Sequence, residues 1–84
     1  MNQPKSSRAW VESLMKAAFD RPRDPRSDEY KRGVRAVLEL RFLRTSIPRL
    51  YQPGTASDDA YYSGMQEGHR IWRDHLEAHK GEAA

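Results

Sequence analysis

Apolar residues recur at helical spacing in three stretches of this 84-residue chain, and two proline-bearing connections separate them. In the first stretch Trp10, Val11, Leu14, Met15 and Ala18 form one stripe, the signature of an amphipathic helix. Ser6 or Ser7 can serve as its N-cap, and the spacing predicts a helix over about 7–19. Asp20-Arg21-Pro22-Arg23-Asp24-Pro25-Arg26 then interrupts it, because each proline disfavours the helical conformation in the residue before it. Ser27 or Asp28 can cap a second helix over about 28–44, with Asp28 and Glu29 suited to its electropositive first turn. Projected at about 100° per residue, Tyr30, Gly33, Val34, Val37 and Leu38 fall on one side, and Lys31, Arg32, Arg35 and Glu39 on the other. Past Leu38 the stripe spreads round the helix, and Arg41 falls in line with Tyr30, Val34 and Val37, a position from which a long side chain can snorkel to water.

In the connection 45–56, Ile47-Pro48 should be extended and Pro53-Gly54 reads as a turn. Leu50 and Tyr51 between them should pack. Ser57 with Asp58 and Asp59 can cap and charge-complement a third helix over about 58–79. One face of it carries Tyr61, Gly64, Met65, Gly68, Trp72, Leu76 and His79. Each glycine costs roughly 1 kcal/mol against alanine inside a helix, so bare backbone one turn apart points to close approach by another helix. That helix is either the second one of the same chain or the third one of a second copy. The homodimer is the favoured version, since so short a chain buries only about 60% of its unfolded surface. Tyr62, about 100° off the stripe, should face solvent, where Arg70 with Asp74 and Arg73 with Glu77 stand at ion-pairing distance along the helix. Tyr30-x-x-Gly33-Val34 and Tyr61-x-x-Gly64-Met65 echo one another, which predicts that the second and third helices cross where these glycines meet. The expected fold is all-α: three helices in a compact single domain, with residues 1–6 and 80–84 frayed.

The formal net charge is +3, and its distribution is uneven. Residues 1–50 hold 12 Lys or Arg against 6 Asp or Glu, whereas residues 51–84 hold 3 against 6. Eleven of the 15 basic residues are arginine, the side chain suited to bidentate contact with phosphate or carboxylate. Arg21, Arg23, Arg26, Lys31, Arg32 and Arg35 are therefore candidates for one partner-binding surface, with Arg32 and Arg35 foremost. Connections longer than the typical 3–4-residue turn argue against a helix-turn-helix reader. Tyr61, Gly64, Met65, Gly68, Trp72 and Leu76 are the candidate helix-contact or dimer residues.

The chain has no cysteine, hence no disulfide and no thiolate chemistry. The polar N-terminal residues have no apolar signal core, and no apolar run approaches the ~20 residues that span a bilayer, so a cytoplasmic protein without membrane contact is expected. His75 and His79 stand four apart, a spacing that can grip one metal ion, but no third ligand stands at a recognisable spacing. They are read as bordering the helix interface, and no metal or other cofactor is expected. His69, near the edge of the same face, is assigned no catalytic role. No phosphate loop, nucleophile elbow or convincing carboxylate pair is present, so the chain is not expected to be an enzyme.

The run Asp58-Asp59-Ala60-Tyr61-Tyr62-Ser63-Gly64-Met65-Gln66-Glu67-Gly68-His69-Arg70 places Gly-x-x-Glu-Gly inside a helix. This segment resembles stretches of small phage and prophage accessory proteins, anti-CRISPR inhibitors among them. The resemblance implies a non-enzymatic protein that occupies a surface of a host protein or nucleoprotein complex in the host cytoplasm. Anti-CRISPRs that imitate DNA are acidic, so for this basic chain it implies steric occupation rather than mimicry. The alternative is a nucleic-acid-binding accessory or regulatory protein using the same basic residues.

Overall fold

The computed structural model describes residues 5–80. It contains α1 (Ser7–Phe19), α2 (Asp28–Leu43) and α3 (Ala56–Ala78), with no strand among the described residues. Ser6 caps α1 by accepting from the Ala9 N–H, and Ser27 caps α2 by accepting from the Tyr30 N–H. α3 starts earlier than expected. Its cap is Thr55, whose hydroxyl accepts from the Asp58 N–H at 3.1 Å. The expected cap, Ser57, lies inside the helix and donates instead to Glu29 of α2 at 3.2 Å. α2 stops at Leu43 because Arg44 turns left-handed (φ 59°, ψ 26°), which folds the Thr45 N–H back onto the Glu39 carbonyl at 3.3 Å while the Arg44 N–H keeps its helical bond to Leu40. Lys5 and Ser6, expected to fray, are tied to α1 through Ser13 and Ala9. The fraying expected of residues 1–4 and 81–84 lies outside the described residues.

The α2–α3 contact is the tightest in the molecule. A methyl group built on Gly33 would collide with the Tyr61 carbonyl, and one built on Gly64 would collide with the Tyr30 carbonyl. The predicted crossing is thus present, and each echoed glycine takes the backbone of the other motif's tyrosine. Further along, a Cβ at Gly68 would stand 2.8 Å from Val37 Cβ and 3.0 Å from the Val34 carbonyl. The glycine contact is made within one chain: α2 meets Gly64 and Gly68, while Leu76 of the same expected face stays exposed.

Successive contacts run in step along the two helices: Tyr30 lies by Gly64, Val37 by Gly68 and Phe42 by Trp72. α2 and α3 therefore run parallel. α1 runs antiparallel to both, with Phe19 against Tyr30 at one end and Trp10 against Phe42, His75 and His79 at the other. A parallel pair requires the chain to travel back along the length of α2, some 24 Å at about 1.5 Å per residue. The connection 44–55 does this as an extended strap, carrying the expected Pro53-Gly54 turn with Gly54 at φ +82°. The strap is held down by Tyr61, whose hydroxyl donates to the Pro48 carbonyl at 2.7 Å, and by Arg32, which donates to the Tyr51 hydroxyl at 2.8 Å. Tyr51 packs edge-on against Tyr61. Leu50, expected to pack, is 49% exposed.

Val11, Val34 and Leu38 form the centre of the core, with Leu14, Met15, Phe19, Tyr30, Phe42, Leu43 and Ile71 packed around them. Ile71 enters this core while Leu76 stays 50% exposed, so the buried face of α3 is turned toward Gly64, Glu67 and Ile71. Trp72 and Met65 are half-buried, and Tyr61 is buried. Tyr62 is half exposed, as expected. Arg41 is exposed and lies 6.0 Å from the centre of the Trp72 ring.

Gly64→Ala should destabilise the fold although alanine is the better helix former, because its methyl would meet backbone rather than a yielding side chain. Overpacking costs about 1–3 kcal/mol, and urea unfolding of Gly33→Ala, Gly64→Ala and Gly68→Leu should show losses of that order. A gain in stability at Gly64 would contradict the crossing.

Candidate functional site

Glu67 lies in α3 one residue before Gly68, on the side turned toward the linker, and it is the one buried charged side chain of the described residues, 6% exposed. Burial of a lone carboxylate is costly, and here three donors meet it. Arg23 binds it bidentately, at 3.0 and 3.1 Å, and the Tyr30 hydroxyl donates to Oε1 at 2.5 Å. Arg70, one turn along α3, stands 3.6 Å away. The hydrogen bond from Arg23 holds the Glu67 carboxyl below the usual carboxylate range against the opposing effect of burial, with Tyr30 adding to the depression. Tyr30 shifts the other way, its phenol pushed up by burial and by its bond to Glu67. Arg23 also donates to the Ala18 carbonyl at the end of α1 at 2.9 Å, and its guanidinium lies 5.0 Å from the centre of the Phe19 ring. One arginine of the proline-bearing linker thus ties α1 to α3, and the Glu67 carboxylate it binds carries the tie on to Tyr30 of α2.

Glu67 forms part of an open trough of about 750 Å³. One wall is the linker, with Arg21, Arg23, Asp24 and Arg26; the other is a stripe of α3, with Ser63, Gln66, Arg70 and Arg73. The 3-4-3 spacing of that stripe puts all four side chains on one helical face over about 15 Å. Arg21 donates through Nε to the Ala18 carbonyl at 3.4 Å, and Arg26 lies 4.9 Å from the centre of the Tyr30 ring. The expected pairs Arg70–Asp74 and Arg73–Glu77 are not formed. Arg70 turns back to Glu67 instead, and both arginines face the trough. The lining holds five arginines against two carboxylates, a surplus equal to the formal net charge of the entire chain, +3.

The six basic candidates do not share one surface. Arg21, Arg23 and Arg26 enter the trough, whereas Arg32 and Arg35 line a separate cleft of about 140 Å³ beside Ala36, Glu39, Pro48 and Leu50. Lys31 lies against Phe19, 5.8 Å from the ring centre. The division has a physical cause: α1 and the strap each claim an arginine. Glu12 of α1 takes Arg35 bidentately at 2.6 and 3.0 Å, with Glu39 at 3.8 Å and Arg8 closing the network. This bonding lowers the Glu12 carboxyl below its ordinary range and raises Arg35. Arg32 is raised by its bond to Tyr51. Both foremost candidates are therefore engaged by other segments of the same chain. Glu67, Arg70 and Arg73 were missed as site residues, although Gly64, Glu67 and Ile71 follow one another at spacings of three and four.

His75 and His79 do border the helix interface. Their rings, 4.4 Å apart, close an aromatic cluster in which His75 meets Trp10, Phe42 and Trp72 at 4.5, 5.1 and 5.7 Å. His79 meets Trp10 at 4.9 Å. Among the described residues no group of three His, Cys, Asp or Glu is placed to hold a metal ion, and no helix is long and apolar enough to cross a membrane. Comparison of the chain with known proteins found no matching family model, no matching curated protein and no matching solved structure.

Glu67→Gln should cost about 3 kcal/mol, near the lower end for removing one partner of a buried pair because Arg23 keeps some access to water. The pH dependence follows from the depressed Glu67 carboxyl. Its contribution is complete above the unfolded glutamate range, ordinarily about 4.3, and is lost as pH falls through the lower folded value. Wild type should therefore lose stability more steeply than Glu67→Gln in acid denaturation, and equal slopes would refute the assignment. Zinc at modest excess should leave the melting temperature unchanged, since a ligand stabilises only through a site it occupies. A zinc-dependent rise abolished by His75→Ala would overturn that expectation.

Proposed function

We propose that this chain is a small non-enzymatic binding protein of phage type, which inhibits or modulates a host protein or nucleoprotein complex by occupying it through the arginine trough. One observation carries the reading: two separate elements, the linker and α3, bring five arginines onto one open surface whose charge surplus matches that of the whole chain. Arginine forks favour planar anionic groups, so the complementary face on the partner is anionic. The buried carboxylate beneath the trough is saturated by Arg23 and Tyr30, which suits it to hold the trough in shape rather than to move protons. The resemblance of segment 58–70 to phage accessory proteins supports the phage-type part of the proposal. Work in the host cytoplasm is part of the same proposal, as is action as a monomer, because α2 already covers the glycine face of α3.

Affinity capture from host lysate tests it. Wild type should recover a defined partner, and Arg70→Glu with Arg73→Glu should lose at least tenfold of that recovery while keeping its helicity, since Arg70 is well exposed and both residues lie on the outer face of α3. Equal recovery by the double variant would refute the trough as the working surface.

A further inference from the structure

We infer that the arginine trough receives the phosphate backbone of a nucleic acid, without regard to base sequence. The inference rests on the trough being the working surface and names the chemistry that fills it. Three observations point to an extended polyanion. The trough is an open channel rather than an enclosed pocket, and its α3 wall offers donors along about 15 Å of helix, longer than a single carboxylate or phosphate needs. The donors are the types that hold phosphate oxygens, arginine with serine and glutamine amide: Arg21 and Arg26 on one wall, Ser63, Gln66, Arg70 and Arg73 on the other. The one aromatic ring in the lining, Tyr30, is half-buried, covered by the Arg26 guanidinium and committed through its hydroxyl to Glu67. No ring is thereby left in the lining to stack on a base, so contact is limited to the backbone and specificity for sequence is not expected. Arg23, neutralised by Glu67, is part of the floor, leaving four arginines to meet phosphates.

Counterion release makes this quantitative. Four phosphate contacts on duplex DNA give a slope of log K against log salt of about −3.6, and on single strands about −2.8. Fluorescence anisotropy with labelled 20-mer probes of two unrelated sequences, as duplex DNA, single-stranded DNA and RNA, would read it. At about 150 mM salt wild type should bind in the range of non-specific contacts, roughly 1–100 μM, and more tightly at about 50 mM, with the two sequences within about threefold. Arg70→Ala with Arg73→Ala should weaken binding and flatten the duplex slope by about two. Arg41→Ala with Arg49→Ala removes the same charge outside the trough and should retain most of the binding and the steeper slope. Equal losses in both double variants would overturn the placement, because net charge alone would then explain the attraction. A labelled polyglutamate probe separates the levels of the argument. Capture of polyglutamate through Arg70 and Arg73 with no binding of any nucleic acid would overturn the phosphate inference and leave an acidic protein surface as the partner. Failure of all probes at 50 mM salt would overturn the inference, while host capture through Arg70 and Arg73 would still sustain the working surface.

Discussion

Everything in this structure depends on two helices approaching so closely that neither can carry a β-carbon at the contact. Gly33 rests on the Tyr61 carbonyl and Gly64 on the Tyr30 carbonyl, a reciprocal arrangement that the echoed motifs already contain. In a chain this short the gain is large, because close approach lets Val34, Val37 and Tyr61 become fully or almost fully buried without a large core. The helix-propensity cost of the glycines is offset by the van der Waals contact they permit.

The same crossing creates the polar site. Once α2 and α3 lie this near, position 67 is forced toward the inside while its neighbour 66 stays on the surface. A glutamate there can be tolerated only with strong partners, and the linker supplies one in Arg23 while α2 supplies another in Tyr30. Burial of one carboxylate therefore determines where a segment with two prolines lies. The remaining linker arginines are carried to the edge of α3, opposite Arg70 and Arg73. Packing and charge layout are consequences of a single contact.

Much of the backbone was legible in the sequence. The three helices, the caps of α1 and α2, the glycine crossing and the Pro53-Gly54 turn all follow from local chemistry or from periodicity. What was not legible depends on which partner claims a side chain. Thr55, not Ser57, caps α3, and Ser57 instead bonds Glu29 of α2 across the helix contact, a partner that local sequence does not show. The face of α3 was misjudged toward Leu76, since its apolar residues occupy a wide arc and a charged residue near the centre of the true face, Glu67, does not register as interior. Arg32 and Arg35 looked free on a helical projection, which cannot show that Glu12 and Tyr51 come from other segments to meet them. Charge run and charge surface are therefore different things: contiguous arginines were divided by α1 and the strap, and distant ones were gathered.

The strap 44–55 also acts as a ruler. Joining two parallel helices obliges the connection to cover about 24 Å, which takes at least seven or eight extended residues at roughly 3.3 Å each. A connection shorter than that can join α2 to α3 only as an antiparallel hairpin, which would carry Gly64 away from Tyr30 and Glu67 away from Arg23. Chain length between the helices, a quantity carried by no particular side chain, thereby selects the direction of α3 and with it which arginines become neighbours. Insertions in the strap are compatible with this topology and deletions beyond a few residues are not, so the segment has a minimum length but no matching maximum.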